Sequence, residues 1–210
     1  MKENALRGPG LLFVVSGPSG AGKDTLVDAL RARMPRLRYS VSATTRPPRP
    51  GEIEGLSYYF LTPQSFQEIE AQGGFLETKT YNGNLYGTPR SYVEQNLIEG
   101  YDVIMKPDVD GALAVQRAFP QAALIFLLPD KFSYLQERLT ARRTESNEEI
   151  AARLAIAHEE IAQARAFDYL VINEQSNFPG AVDDLEAILR AERHRIHRYD
   201  DSTLKRLEHS

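Results

Sequence analysis

The sequence contains no cysteine. That excludes a disulfide framework and any thiolate metal site, and it makes secretion into an oxidising compartment a poor fit. Long apolar runs are also missing, for Leu11 to Val15 and Ala122 to Leu128 fall well short of the roughly 20 residues of a membrane helix. The start Met1-Lys-Glu-Asn lacks the apolar core of a signal peptide, so the expected location is the cytoplasm, with no membrane contact. No fixed repeat and no low-complexity tract occurs. There are 4 histidines, and His158, His194, His197 and His209 lie on or near charged helical segments without metal-ligand spacing; they read as surface residues. Basic residues are not in excess: 25 Lys and Arg against 29 Asp and Glu leave a net charge of −4, which argues against binding to duplex nucleic acid. Local basic clusters can still hold one small polyanion. The rest is ordinary for a globular chain: 210 residues, 42% hydrophobic and 26% charged, enough for one core carrying mobile subdomains.

Leu11-Leu-Phe-Val-Val15 is a continuous apolar run between Gly10 and Gly17, as expected of a strand buried on both faces of a parallel sheet. Leu26, Val27, Leu30 and Met34 then recur at helical spacing until Pro35. Further apolar runs at Val103–Met105, Ala122–Leu128 and Tyr169–Ile172 alternate with helical segments, the pattern of an α/β fold with a parallel sheet flanked by helices. Two stretches break this rhythm. Residues 44–99 are rich in Pro, Gly, Tyr and Thr and read as an insertion; residues 134–165 read as a helical hairpin broken near Thr144–Asn147, with Ser146 and Glu149 spaced as a capping box. The expected organisation is a core of 11–43, 100–133 and 166–190, the insertion at 44–99, a lid at 134–165 and a helical tail at 191–210.

Gly17-Pro18-Ser19-Gly20-Ala21-Gly22-Lys23 carries the glycine and lysine spacing of a Walker A loop. Such glycines let successive backbone N–H groups wrap phosphate oxygens, while the helix N-terminus and the lysine add positive potential. A plain glycine-rich turn between strand and helix is the alternative; the apolar strand before and amphipathic helix after supply the context that phosphate binding requires. The hydroxyl usual after the lysine is replaced by Asp24, with Thr25 next, so both are candidates beside a magnesium ion.

Ser40-Val-Ser42-Ala-Thr-Thr-Arg46-Pro-Pro-Arg49-Pro-Gly-Glu52 places two arginines three apart in a proline-stiffened loop, suited to gripping a phosphate, although a solvated basic loop would look similar. This run, with Tyr58, Phe75-Leu-Glu77, Gly83-Asn-Leu-Tyr86-Gly-Thr88, Arg138-Leu-x-x-Arg142 and Ile150-x-x-Arg153-Leu, closely resembles guanylate kinase from Leu11 to about Asn173. The resemblance implies a P-loop fold that binds ATP and GMP with Mg2+. It assigns ATP to Gly17 through Thr25 and Asn173, and the GMP phosphate to Arg46, Arg49, Tyr58 and Tyr86. It places Ser42, Glu77, Thr88 and Asp108 around the guanine. It gives the transferring phosphoryl group to Lys23, Arg46, Arg138, Arg142 and Arg153, chemistry that needs charge neutralisation rather than a covalent nucleophile. Guanine offers N1–H and a 2-amino group side by side, which one carboxylate such as Glu77 can accept and adenine cannot supply. Taken singly, Glu77 reads equally as a surface strand residue, Tyr86 as packing, and Arg138 and Arg142 as one solvated helical face.

Lys106 stands where the family has an acidic residue beside the hydrated metal, and Asp24 stands where it has a hydroxyl. These paired departures predict a charge exchange, with Asp24 holding Lys106 in the empty protein; two unrelated substitutions are the alternative. The alternatives to guanylate kinase activity are a related kinase with another acceptor, such as a phosphorylated sugar, and a non-catalytic binding module of the same fold. The oligomeric state is not legible in the sequence.

Overall fold

A computed structural model describes residues 9–140 and 147–199, without the side chains of 138, 139 and 147–149. Strand β1 (Leu12–Ser16) enters the phosphate-loop turn and helix α1 (Lys23–Arg33), which returns to β2 (Leu37–Tyr39). The insertion follows with β3 (Ala43–Thr44), β4 (Tyr59–Phe60), α2 (Pro63–Ala71), β5 (Phe75–Tyr81), β6 (Asn84–Pro89) and α3 (Arg90–Ile98). The core resumes with β7 (Asp102–Met105), α4 (Val109–Ala118) and β8 (Ala123–Pro129). Helices α5 (Phe132–Thr140) and α6 (Asn147–Ala162) come next, then β9 (Tyr169–Asn173) and α7 (Phe178–Glu192). The expected hairpin break and the Ser146 capping box lie outside the described residues.

Five strands form one sheet in the order β2-β7-β1-β8-β9, and every pairing in it is parallel. Because successive side chains alternate across a strand, β1 supplies both halves of the core. Phe13 and Val15 pack with α1 and α7 on one face, whereas Leu12 and Val14 pack with Leu97, Ala112 and Val115 of α3 and α4 on the other. The chain leaves β1 toward β2 on one side and later reaches β8 on the other, so the loops after β1 and β7 open a crevice at the C-terminal ends of neighbouring strands.

The insertion builds a second sheet, ordered β4-β3-β6-β5, over its own small core of Ala43, Phe66 and Phe75. The Phe66 and Phe75 rings stack at 4.4 Å between centroids. Thr62 caps α2 by accepting from the Ser65 N–H at 3.1 Å, and Pro63 occupies the first turn. Asn82 and Gly83, at φ 46° and 73°, make the tight turn between β5 and β6. Between Phe75 and Thr78 the register shifts: β5 advances three residues while β6 advances two, from Pro89 to Gly87. Ordinary alternation sends Phe75 into the small core and Leu76 into the main one, and Glu77 lies within the bulge that follows.

Where a helical tail was expected from 191, α7 ends at Glu192, and the described part of the tail holds a single 3-10 turn, Ile196–Arg198. Fully buried Glu192 pulls this turn in, accepting from Arg195 at 3.1 Å and from the Arg198 Nε at 3.1 Å, as well as from the Tyr169 hydroxyl. His158, His194 and His197 are exposed, and His158 stacks on Phe132 at 4.2 Å; His209 lies outside the described residues. No helix among the described residues is long and apolar enough to cross a membrane.

Candidate active site

At the end of β1 the buried Ser16 hydroxyl donates to the Pro107 carbonyl at 2.9 Å, tying the turn after β1 to the turn after β7. Gly17 follows at φ 138°, where a Cβ would stand 2.2 Å from the Leu127 carbonyl oxygen, so only glycine lets the chain turn this close to β8. The Ala21 N–H donates to Pro18 O at 3.1 Å, and Gly22, left-handed at φ 97°, opens α1. From the end of β9, the buried Asn173 amide donates to Ala21 O at 2.8 Å and holds the loop from behind. Asn173 thus braces the loop backbone, while also bordering the cleft where the resemblance implies adenine.

The loop lines a cleft of about 580 Å³ through Gly17, Ser19, Gly20, Gly22 and Lys23, with Asp24, Thr25, Lys106, Asp108 and Glu160 around it. The Lys23 ammonium donates to the carbonyls of Gly17 and Pro18, its own loop. Burial lowers the Lys23 pKa, and the charges of Glu160 and Asp24 oppose that shift. Burial raises the Glu160 pKa, opposed by Lys23 and Lys79. An ion pair borders this cleft: Lys106 Nζ lies 2.5 Å from Asp24 Oδ1 and 4.7 Å from the centre of the Tyr39 ring. Burial alone would lower the Lys106 pKa, but Tyr39 and Asp24 outweigh it and hold it above the ordinary lysine value.

Asp108 joins this cleft to the insertion. Its carboxylate caps α4, accepting from the Gly111 N–H at 2.8 Å, and also pairs with Lys79 of β5. Two residues before Lys79, Glu77 accepts a hydrogen bond from the buried Thr88 hydroxyl of β6 at 2.7 Å. Burial pushes the Glu77 pKa up, while Thr88 and the Lys79 charge pull against it. Arg46, after β3, forms a two-toothed pair with Glu52 at 2.8 and 3.0 Å and lies 5.4 Å from the Tyr58 ring centre. The Glu52 hydrogen bonds, with a further one to Tyr86, hold the Arg46 pKa above its usual value. Tyr58 and Tyr86 meet edge to face at 6.0 Å. Ser42 is half-buried beside β3, its carbonyl accepting from the Tyr59 N–H at 2.9 Å. Arg49 is exposed, and it is its backbone N–H that reaches Glu52, at 2.7 Å.

The structure thus gathers Lys23, Asp24, Thr25 and Asp108 in one cleft, and Arg46, Tyr58 and Tyr86 in a second group, with Glu77 and Thr88 as a pair reached through Lys79 and Asp108. Arg153 is half-buried on α6. Arg142 and the side chain of Arg138 lie outside the described residues. Sequence reasoning missed Lys79, Glu160 and the counter-ion role of Glu52. Lys79 shares the strand face of Glu77 two residues earlier, and Glu160 follows Arg153 by two helical turns, so the spacing carried a signal for both.

Among the described residues no cluster of three or more His, Cys, Asp or Glu can hold a metal ion alone. A magnesium ion arriving on a triphosphate needs only one or two protein oxygens, the remainder coming from phosphate and water. Asp24 and Thr25, exposed on the first turn of α1 beside the loop, meet that requirement.

The family model described as guanylate kinase matches residues 10–192. A guanylate kinase of Desulfitobacterium hafniense is 47% identical over 189 residues, covering 90% of this chain and 94% of that protein. One from Thermus thermophilus is 49% identical over 193 residues, covering 92% and 86%. The crystal structure of guanylate kinase from Anaplasma phagocytophilum superposes with a TM-score of 0.73 at 30% identity, covering 92% of this chain and 91% of that one.

Proposed function

This chain belongs to the guanylate kinase family, and we infer that it moves the terminal phosphoryl group of ATP onto GMP, giving ADP and GDP. The observation that carries this reading is the junction at Asp108, where a braced phosphate loop on one side meets the Glu77–Thr88 pair on the other. In the reaction a GMP phosphate oxygen bonds to the γ-phosphorus of ATP as the bond from that phosphorus to the bridging oxygen breaks, and ADP leaves with the electron pair. The backbone N–H groups of the loop from Ser19 to Gly22 and the Lys23 ammonium receive the ATP phosphates. Lys23 turns from the carbonyls of its own loop to phosphate oxygens, an exchange favoured because an anionic oxygen attracts the ammonium more strongly than a neutral carbonyl does. Arg46, Arg49, Tyr58 and Tyr86 receive the GMP phosphate, and Glu52 holds the Arg46 fork in place while the site is empty. Glu77 accepts the guanine N1–H and 2-amino group with Thr88 beside it, and Ser42 and Asp108 border the base. Asp24 and Thr25 are the oxygens offered to Mg2+, which when bound neutralises charge on the β- and γ-phosphates. Arg138, Arg142 and Arg153 are assigned to the closing lid. The same reading places the enzyme in the cytoplasm.

The relatives cover most of the chain and are named for GMP chemistry, so neither a sugar-phosphate acceptor nor a non-catalytic module is favoured. One coupled assay of ADP release with GMP, dGMP, AMP and a sugar phosphate tests the assignment. GMP-dependent release well above that with AMP is expected, and equal rates with AMP or a higher rate with the sugar phosphate would overturn it.

A further inference from the structure

Lys106 is an unusual cation for this cleft. Its side chain is only 15% exposed, and its ammonium is confined between the Tyr39 ring and the Asp24 carboxylate, whose own side chain is 81% exposed. One partner is therefore fixed in the wall while the other sits on a short, solvated stem. Lys106 also directly follows β7, next in the sheet to the strand that feeds the phosphate loop, and it lines the same cleft as Lys23. On its other side, the Asp24 charge is felt by both Tyr39 and Tyr58, so the pair stands between the phosphate loop and the Arg46–Tyr58 group.

We propose that Lys106 is a second phosphate-binding lysine of the nucleotide cleft, kept neutralised by Asp24 until a polyphosphate displaces the carboxylate; the proposal rests on the kinase reading of this cleft. A polyphosphate brought against the loop repels the Asp24 carboxylate and attracts the Lys106 ammonium, so one arrival breaks the pair from both ends. Asp24 is the partner able to move, being on the solvated first turn of α1, where the helix N-terminus stabilises its charge without Lys106. Freed from Lys106, it faces the magnesium ion that accompanies the nucleotide. Lys106 stays in place and takes a phosphate oxygen. The positive charge that the family obtains there through a metal-holding acid is supplied in this chain by the protein itself.

Equilibrium binding of ADP and ATP by calorimetry, in EDTA and in excess magnesium, separates these roles without relying on turnover. Lys106→Ala is expected to weaken magnesium-free ADP binding at least threefold. Asp24→Asn is expected to strengthen magnesium-free binding, because Lys106 is then already released, while shrinking the gain that magnesium brings. The double variant should follow Lys106→Ala, and Lys106→Arg should recover most of the loss, which excludes a folding defect as its cause. A loss under threefold in Lys106→Ala, or an Asp24→Asn variant that binds magnesium-free ADP more weakly than the parent, overturns the proposal. If the parent protein binds ADP but shows no GMP-dependent ADP release, it is the acceptor assignment that fails, and the binding comparison still decides the role of Lys106.

Discussion

In the proposed role Glu77 must be ionised to accept two guanine donors, and burial makes ionisation harder. Its pKa in the free protein stands above the ordinary glutamate value of about 4.3, so protonation removes the acceptor at a higher pH than for an exposed carboxylate. kcat/KM for GMP should therefore fall on the acid side with a midpoint above that value. kcat at saturating GMP should hold to lower pH, because the bound base favours the charged form. Thr88→Val removes the hydrogen bond that pulls this pKa down, so its acid limb should move to higher pH. Glu77→Gln should abolish the limb and cost tenfold or more in GMP preference over AMP, from about 1–3 kcal/mol of lost pairing. pH profiles that coincide for the parent and Thr88→Val would remove Glu77 from base reading. If Lys23 acts at the phosphoryl group as proposed, Lys23→Ala is expected to lower kcat by about 10²–10³-fold with little change in KM for GMP, as steady-state kinetics would register.

The strand–loop–helix element depends on a contact from far along the chain, the Asn173 amide on Ala21 O across 152 residues. Asn173→Ala removes the amide that donates to this carbonyl, at a cost of about 1 kcal/mol. Lower melting temperature and weaker ATP binding are expected, with the preference for ATP over GTP unchanged; a shift in that preference would mean that the amide reads the adenine directly. The elements themselves were legible in the sequence for a physical reason. β1, β7 and β8 are buried on both faces and carry continuous apolar runs, and the loop glycines are required by positive φ and by contact with Leu127. The β5 bulge was not legible, because a shift of one residue is set by pairing with β6 and not by the local composition of Phe75 to Thr78. Lys79 with Asp108, 29 residues apart, escaped notice because neither residue is unusual where it stands. Lys106 with Asp24, 82 residues apart, was visible because both depart from the family in opposite senses of charge.

At the scale of the molecule, Glu192 fastens the chain past α7 to the edge of the sheet, joining Tyr169 of β9 to Arg195 and Arg198. Burial would raise its pKa, but the Tyr169 hydrogen bond and the arginines outweigh this and hold it below the usual glutamate value. A carboxyl depressed in the folded state stabilises the fold above its unfolded pKa and loses that contribution as the pH falls through the folded one. Thermal melts should therefore show a stability increment for the parent over Glu192→Gln that is full near neutrality and disappears below about pH 4. At pH 7 the increment should be about 2–3 kcal/mol, under the full cost of breaking a buried pair because Arg195 is half exposed. An increment independent of pH would show that Glu192 serves by packing alone. The nucleotide cleft at the opposite end of the sheet and the insertion beside it follow a related electrical logic: Arg46 rests on Glu52, Lys79 on Asp108, and Lys106 on Asp24. With these three cations already spoken for by internal acids, a single stray anion gains little by approaching them, and the phosphate loop with Lys23 is left as the place that attracts it. A nucleotide displaces several of these acids through one connected molecule and is not so disadvantaged. Inorganic phosphate should consequently compete with ATP at the loop and little with GMP at the Arg46 group, a difference that steady-state inhibition patterns would read and that arises from how the charges are stored.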